Sequence, residues 1–171
     1  ANLKSYSGGL VGSTDAILIS NSYNRGAVSA YAYYNTNNTV GGTRQAGGLV
    51  GKVISSSTFR NSYNTGTLTG ETLGGIRGNS SGTVTNCYYD KTVYTGSAIG
   101  KDFGKAIKVE GKTTEQFASG EVAYLLNGDQ STITFKQTLL TDAYPSFTGG
   151  TVYQVENCKE ELVYANTNEN I

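Results

Sequence analysis

The residue types that usually carry enzymatic chemistry are scarce in this sequence. It contains no histidine, which leaves no Ser-His-Asp or Cys-His catalytic arrangement and no His-Glu-x-x-His zinc helix. Paired carboxylates can cleave polysaccharides, but Asp15, Glu71 and Asp90 fall at positions that do not correspond between the sequence repeats described below. The glycine pairs recur with those repeats, which is a structural explanation for them. We therefore expect no enzymatic activity, no cofactor and no metal site.

Two cysteines, Cys87 and Cys158, are too few to hold a structural zinc ion on their own. They could form a disulfide that ties the C-terminal tail to the last repeat, which requires Cα atoms within about 7 Å of each other. Alternatively, Cys87 is a small buried side chain, since Ser22 and Ser62 occupy the same position in the two preceding repeats. We favour the buried side chain and keep the disulfide as the alternative.

Tyrosines are the better candidates for ligand binding. Tyr23, Tyr63 and Tyr88 recur at one position of the repeat, where stacked rings with hydroxyl groups could hold sugar rings or peptide. The competing interpretation, which we favour for these three residues, is that the rings merely cover one side of the fold. Tyr31, Tyr33 and Tyr34 are the other candidates, because tyrosine among Asn and Thr gives rigid contact area with adaptable hydrogen bonding.

Two linked motifs return in the same order and must position these side chains. Gly-Gly-Leu-Val-Gly occurs at 8–12 and 47–51 and becomes Gly-Gly-Ile-Arg-Gly at 74–78; each block is followed by Asn-Ser-Tyr-Asn or, at 86–89, by Asn-Cys-Tyr-Tyr. A period of roughly 20–50 residues indicates a solenoid, a propeller or an array. Each repeat offers three short strand-like pieces and no Asn-Gly hairpin signal, which favours parallel over antiparallel pairing.

The sequence therefore predicts an all-β fold: a parallel β-solenoid (β-helix) of about three coils over residues 1–93. An insertion of 16 residues, 31–46, separates the first repeat from the second. A loop longer than about 12 residues is either functional or mobile, so a specific binding function is expected in this insertion.

Stacking of the repeats predicts ladders of equivalent side chains. We expect Leu10, Leu49 and Ile76 inside, and Asn21, Asn61 and Asn86 in an amide ladder at a corner. A bend at each of these asparagines would turn Ser22, Ser62 and Cys87 inward and the following tyrosines outward. Arg77 stands where the other repeats have valine, so we expect it to face outward or to mark a loosening of the stack.

Residues 94–171 differ in character, and we expect them to form a mixed α+β cap over the open end of the stack. Thr113 and Gln116 match a capping box. Ser119 can cap a second helix that ends at Gly128. Strand-like alternation follows at 132–140 and 146–155.

Charge and hydropathy argue against two classes of partner. Thirteen basic and thirteen acidic residues cancel, and no basic run suggests nucleic-acid binding. No apolar stretch approaches the roughly 18 residues of a membrane-spanning helix, so we expect no membrane insertion in this segment. The segment is expected to be a monomer, and to be a piece processed or excised from a longer protein.

The paired motifs resemble a known repeat. Gly-Gly-Leu-Val-Gly followed by Asn-Ser-Tyr-Asn-Thr-Gly is similar to the GLUG motif over about residues 8–93, and the stretches 120–128 and 144–149 resemble the segment that often follows such repeats in bacterial surface proteins. The resemblance implies an extracellular, β-helical module and transfers no catalytic residue. The insertion and Arg77 depart from the pattern.

These observations predict a non-catalytic extracellular structural or adhesion module of a larger bacterial surface protein. Its partner would be a glycan or a protein of a host or bacterial surface. The alternative is a carbohydrate-binding module that uses the exposed tyrosines.

Overall fold

The structure is a computed structural model that describes residues 4–31, 33–34, 40–102, 104–128, 130–156 and 161–166. The chain divides into two compact units, Ala1–Gly111 and Lys112–Ile171. Strands dominate, and the fold is all-β as predicted, with most strands paired in parallel.

The strands of the first part follow one another in short segments. In chain order they are β1 (Lys4–Gly8), β2 (Val11–Thr14), β3 (Leu18–Ser20), β4 (Tyr23–Asn24), β5 (Val28–Ser29), β6 (Tyr33–Tyr34), β7 (Val40–Gly41), β8 (Thr43–Gly47), β9 (Val50–Val53), β10 (Thr58–Asn64), β11 (Leu68–Thr69), β12 (Thr72–Gly74), β13 (Arg77–Ser80), β14 (Thr83–Asp90), β15 (Ile99–Asp102) and β16 (Lys105–Lys112). The second part contains α1 (Thr114–Ala118), α2 (Glu121–Asn127), β17 (Val152–Glu156) and β18 (Leu162–Asn166).

Consecutive repeats contribute equivalent strands to the same parallel sheets. The strand orders are β1-β8-β12, β2-β9-β13-β15, β3-β10-β14-β16 and β5-β11. The register follows the repeat, since Phe59 pairs with Ile19 on one side and with Val84 on the other. Equivalent apolar residues are therefore stacked one strand spacing, about 4.8 Å, apart.

The predicted interior is largely present. Leu49, Ile76, Phe59 and Val84 are fully buried in one cluster, and burial of each such side chain is worth roughly 1.5–3 kcal/mol. The prediction is wrong for Leu10, which is 44% exposed although its N–H donates to the Leu49 carbonyl at 2.9 Å. Leu10 belongs to the first described repeat and has an equivalent residue stacked on one side only.

The insertion is shorter than predicted. Thr43–Gly47 pairs in parallel with Lys4–Gly8, and its last three residues pair with Thr72–Gly74, so this segment belongs to the repeat and not to the insertion 31–46. Its polar sequence Thr-Arg-Gln hides the strand, because only Ala46 joins a small apolar cluster with Val28 and Ala30. Lys4–Gly8 likewise leads into the glycine block at 8–12.

Parallel pairing also continues past residue 93, where the first domain was predicted to end. Ile99–Asp102 pairs with Arg77–Ser80, and Lys105–Lys112 lies beside Thr83–Asp90. The backbone N–H of Ile76 donates to the Ala98 carbonyl at 2.8 Å, as Leu49 N–H does to the Ile76 carbonyl. A fourth, degenerate repeat therefore begins near Ser97.

The second unit contains the two helices expected from the capping signals. Gln116 N–H donates to Thr113 Oγ1 at 3.2 Å, and Thr113 N–H donates to Gln116 Oε1 at 3.0 Å, so the capping box is confirmed. The second helix is preceded by Gly120, with φ 91°, and the predicted capping residue Ser119 accepts at Oγ from the N–H of Glu121, the first helical residue, at 3.4 Å. Gly128 ends it, as predicted.

The strands of the second unit are placed differently from the prediction. Within the predicted strand 132–140 the structure has an isolated bridge between Lys136 and Ser146. The antiparallel pair is formed by Val152–Glu156 and Leu162–Asn166. After α2, a buried side chain makes a hydrogen bond of the kind that a partner strand would otherwise supply: Asn127 Nδ2 donates to the Phe135 carbonyl at 2.8 Å.

Candidate binding surfaces

A left-handed bend at a repeated asparagine sets the direction of the side chains that follow it. Asn21, Asn61 and Asn86 have φ of 48°, 48° and 51°, a conformation that asparagine adopts more readily than most residues. Asn86 Nδ2 donates to Asn61 Oδ1 at 2.9 Å, so the amide ladder is confirmed between these two residues. The bend at each asparagine is also confirmed.

The bend turns the next small residue inward. Ser62 and Cys87 are fully buried, and Ser22 N–H donates to Ser62 Oγ at 3.1 Å. Among the described residues Cys87 has no disulfide partner, and burial raises the pKa of its thiol from 9.0 to about 12. Cys158 lies outside the described residues, so the Cys87–Cys158 disulfide stays a prediction.

Two of the three recurring tyrosines form the expected stack, and the three are not all accessible. The rings of Tyr23 and Tyr63 are parallel within 9°, with centroids 5.1 Å apart. Tyr63 is 0% exposed and Tyr88 is 3% exposed, so the prediction that they present outward surfaces is wrong. Arg25 covers the stack, because its guanidinium lies 4.8 Å from the Tyr23 ring centroid and its Nε donates to the Tyr63 hydroxyl at 3.0 Å. Ligand binding by these three tyrosines stays a prediction, with Tyr23 half-buried.

A second asparagine row was not anticipated. Asn24 Nδ2 donates to Asn64 Oδ1 at 2.8 Å, and Asn64 closes its own turn by accepting from Gly66 N–H at 3.1 Å. The sequence signal is Asn-x-Gly, which occurs at 24–26 and 64–66 and is typical of a side-chain-closed turn. Tyr89 replaces the asparagine in the third repeat.

The second glycine of each glycine pair makes room for this row. A Cβ on Gly75 would lie 2.5 Å from Tyr89 Cγ, and a Cβ on Gly48 would overlap the side chain of Asn64. None of the residues in the three pairs has a positive φ among the described backbone angles. These glycines are therefore needed for the close approach of neighbouring atoms and not for a positive φ.

The insertion retains one well-placed candidate. Tyr31 is 75% exposed, and Tyr33–Tyr34 pairs in antiparallel fashion with Val40–Gly41. The side chains of Tyr33 and Tyr34 lie outside the described part of the structure, as do residues 35–39. Ligand binding by these tyrosines therefore stays a prediction that rests on residue type.

Arg77 is buried, contrary to the expectation that it faces outward. It pairs in register with Val50 and Ile99 and is 0% exposed. The position fixes the side chain inward, and its length lets the guanidinium reach carbonyl groups: Nη1 lies 3.4 Å from the Ser81 oxygen and 3.3 Å from the Gly82 oxygen. The stack does not loosen here, because a further strand pairs beyond it.

Within the described ranges, no group of three or more His, Cys, Asp or Glu side chains could hold a metal ion. No helix in the same ranges is long and apolar enough to cross a bilayer. Comparisons with protein-family models, curated proteins and solved structures found no match. The GLUG resemblance thus remains a prediction from the quoted motifs.

Proposed function

We propose that residues 4–112 form a short parallel β-solenoid that serves as a non-catalytic structural and adhesion module in a larger bacterial surface protein. In this proposal the stacked repeats are a rigid support, and the inserted segment presents the contact surface. The parallel, in-register pairing of equivalent strands supports the solenoid. The motif resemblance supports an extracellular location, and the exposed Tyr31 supports a contact role for the insertion.

The hydrogen bonds on either side of the insertion support this distinction between the stacked repeats and the inserted segment. Ala30 N–H donates to the Thr69 carbonyl at 2.8 Å, and Glu71 N–H donates to the Arg44 carbonyl at 2.9 Å. Ala30 and Arg44 therefore match Gly70 and Glu71, which are adjacent in sequence. Residues 31–43 are additional to the register of the second and third repeats, so among the inter-repeat pairings their removal takes away only that of Thr43 with Lys4.

The test deletes residues 31–43 and joins Ala30 directly to Arg44. We expect an unchanged β-type circular dichroism spectrum and cooperative unfolding, with loss of binding to host-cell or bacterial surfaces measured by flow cytometry. The control replaces 31–43 by a Gly/Ser segment of the same length, which keeps the loop but removes its tyrosines. Loss of the fold on deletion, or undiminished cell binding by both variants, would refute the proposal.

A carbohydrate-binding role is the second candidate, and Tyr31 is the observation that favours it. An exposed aromatic ring offers a face for sugar stacking, whereas Tyr63 is buried. On a glycan array, Tyr31→Ala should abolish a specific signal and Tyr63→Phe should retain it. The reverse pattern, or no glycan signal from the parent chain, would argue against this role.

A further inference from the structure

The two units carry opposite formal charge, although the whole chain is neutral. Residues 1–111 contain ten basic and five acidic side chains, a net charge of +5, and residues 112–171 contain three basic and eight acidic ones, a net charge of −5. A net charge of this size on a small unit attracts partners of opposite charge.

On the sheet β3-β10-β14-β16, the outward face that precedes the bends carries no acidic residue, and the exposed Glu110 lies beyond the bend of β16. Phe59 and its paired residues Ile19 and Val84 point inward, so their sequence neighbours point outward. Lys105 N–H donates to the Gly82 carbonyl at 2.9 Å, much as Thr83 N–H donates to the Ser57 carbonyl at 2.8 Å, which places Lys105 level with Thr83. We name this the outer face; its residues are Leu18, Ser20, Thr58, Arg60, Thr83, Thr85, Lys105 and Ile107.

The cations of the outer face are exposed and unengaged. Arg60 and Lys105 are exposed, as is Lys108 at the adjoining bend, and none of the three makes an ion pair with the described residues. Two other cations contact neighbouring side chains: Arg44 Nη2 lies 3.3 Å from Glu71 Oε1, and Lys52 Nζ lies 4.7 Å from the Tyr6 ring centroid. Three unpaired exposed cations thus lie on this face and its edge, while Lys4 and Lys91 are exposed elsewhere on the first unit.

We propose that the outer face binds a linear anionic polysaccharide, carboxylated or sulfated. Arg60 and Lys105 are two strands and two residues apart, which is about 12 Å on a flat sheet, and Arg forms paired hydrogen bonds with carboxylate and related oxyanions. Single-stranded nucleic acid is disfavoured, because it needs aromatic side chains on which bases stack, and the outer face has none. The inference rests on the proposed adhesive function and names the partner's chemistry.

The test uses heparin and polygalacturonate as probes, with neutral dextran as a reference. Arg60→Gln/Lys105→Gln is compared with Lys4→Gln/Lys91→Gln, which removes the same charge from exposed positions off this face. We expect the first variant to lose on the order of tenfold in affinity for each cation at about 50 mM salt, and its log K versus log[salt] slope to fall by about two. The control should retain most of the affinity.

Several outcomes would overturn the inference. These are absence of binding to either polyanion by the unmodified chain, equal losses in both variants, equal affinity for single-stranded DNA, and salt-sensitive self-association in place of glycan binding. The proposed adhesive function has its own test in the deletion of 31–43. A chain that fails to bind polyanions but loses cell binding on that deletion would refute only the outer-face assignment.

Discussion

The left-handed bend at Asn61 gives the most direct test of how this fold is stabilised. Asn61 has φ of 48°, and a side chain with an ordinary Cβ costs about 1–2 kcal/mol in that conformation. Its Oδ1 also accepts from Asn86 Nδ2, a bond worth roughly 1 kcal/mol. Asn61→Ala should therefore lower the free energy of unfolding by about 2–3 kcal/mol.

Two matched variants separate the backbone from the amide. Asn61→Gly removes the side-chain bond but accepts the positive φ, so it should cost about 1 kcal/mol less than Asn61→Ala. Lys108 occupies the equivalent bend of the fourth repeat, with φ of 51°. Lys108→Asn should stabilise the protein by about 0.5–1 kcal/mol, because asparagine tolerates this conformation better than lysine.

The measurement is urea and thermal unfolding followed by far-UV circular dichroism, since the chain has no tryptophan. For a chain of this size 1 kcal/mol corresponds to about 2–4 °C in Tm. Equal destabilisation by Asn61→Ala and Asn61→Gly, together with no gain from Lys108→Asn, would show that backbone conformation is not what the asparagine provides.

Further variants test three other parts of the fold. Gly75→Ala should destabilise the protein strongly, because the added methyl group meets the Tyr89 ring, whereas Gly26→Ala, with 3.5 Å of clearance to its nearest atom, should be nearly neutral in Tm. Arg77→Ala should cost roughly 3 kcal/mol in urea unfolding, since it leaves a cavity and unpaired carbonyl groups; Arg77→Met, which keeps most of the volume, should cost less, and equal losses would contradict this account. The buried Cys87 thiol has a pKa of about 12 against 9.0 ordinarily, so its contribution to stability is complete below pH 9 and is lost as pH rises towards 12, by on the order of 1 kcal/mol per pH unit. Cys87→Ser should show a smaller fall in unfolding free energy between pH 9 and 11, and identical pH profiles would refute the assignment.

The sequence carried enough information to predict the register of the first three repeats. Gly-Gly pairs and Asn-x-Tyr motifs recur because the same corner and the same bend are built each time. The inward position of Ser62 and Cys87 could be inferred because a small-residue set suits a tight corner. These features depend on local backbone geometry, which a few residue types specify.

Other features depend on contacts that the sequence does not display. The sequence of the strand Thr43–Gly47 has no apolar alternation. The segment is a strand because it pairs in parallel with Lys4–Gly8, a contact that its own sequence does not reveal. The fourth repeat has Ala98 where others have Leu49 and Ile76, and Lys108 where others have asparagine, so neither motif survives. The orientation of Arg77 and the burial of Tyr63 depend on what surrounds them, which residue type alone left open.

The glycine beneath Asn24, Asn64 or Tyr89 has a consequence for how such repeats can diverge. Because the glycine leaves the space vacant and the neighbouring side chain fills it, the same corner accommodates a small amide in two repeats and a large phenol ring in the third. The backbone path is thereby uncoupled from the identity of the side chain placed over it. Mutational drift at this position can change the chemistry of the corner without altering the spacing of the strands on either side.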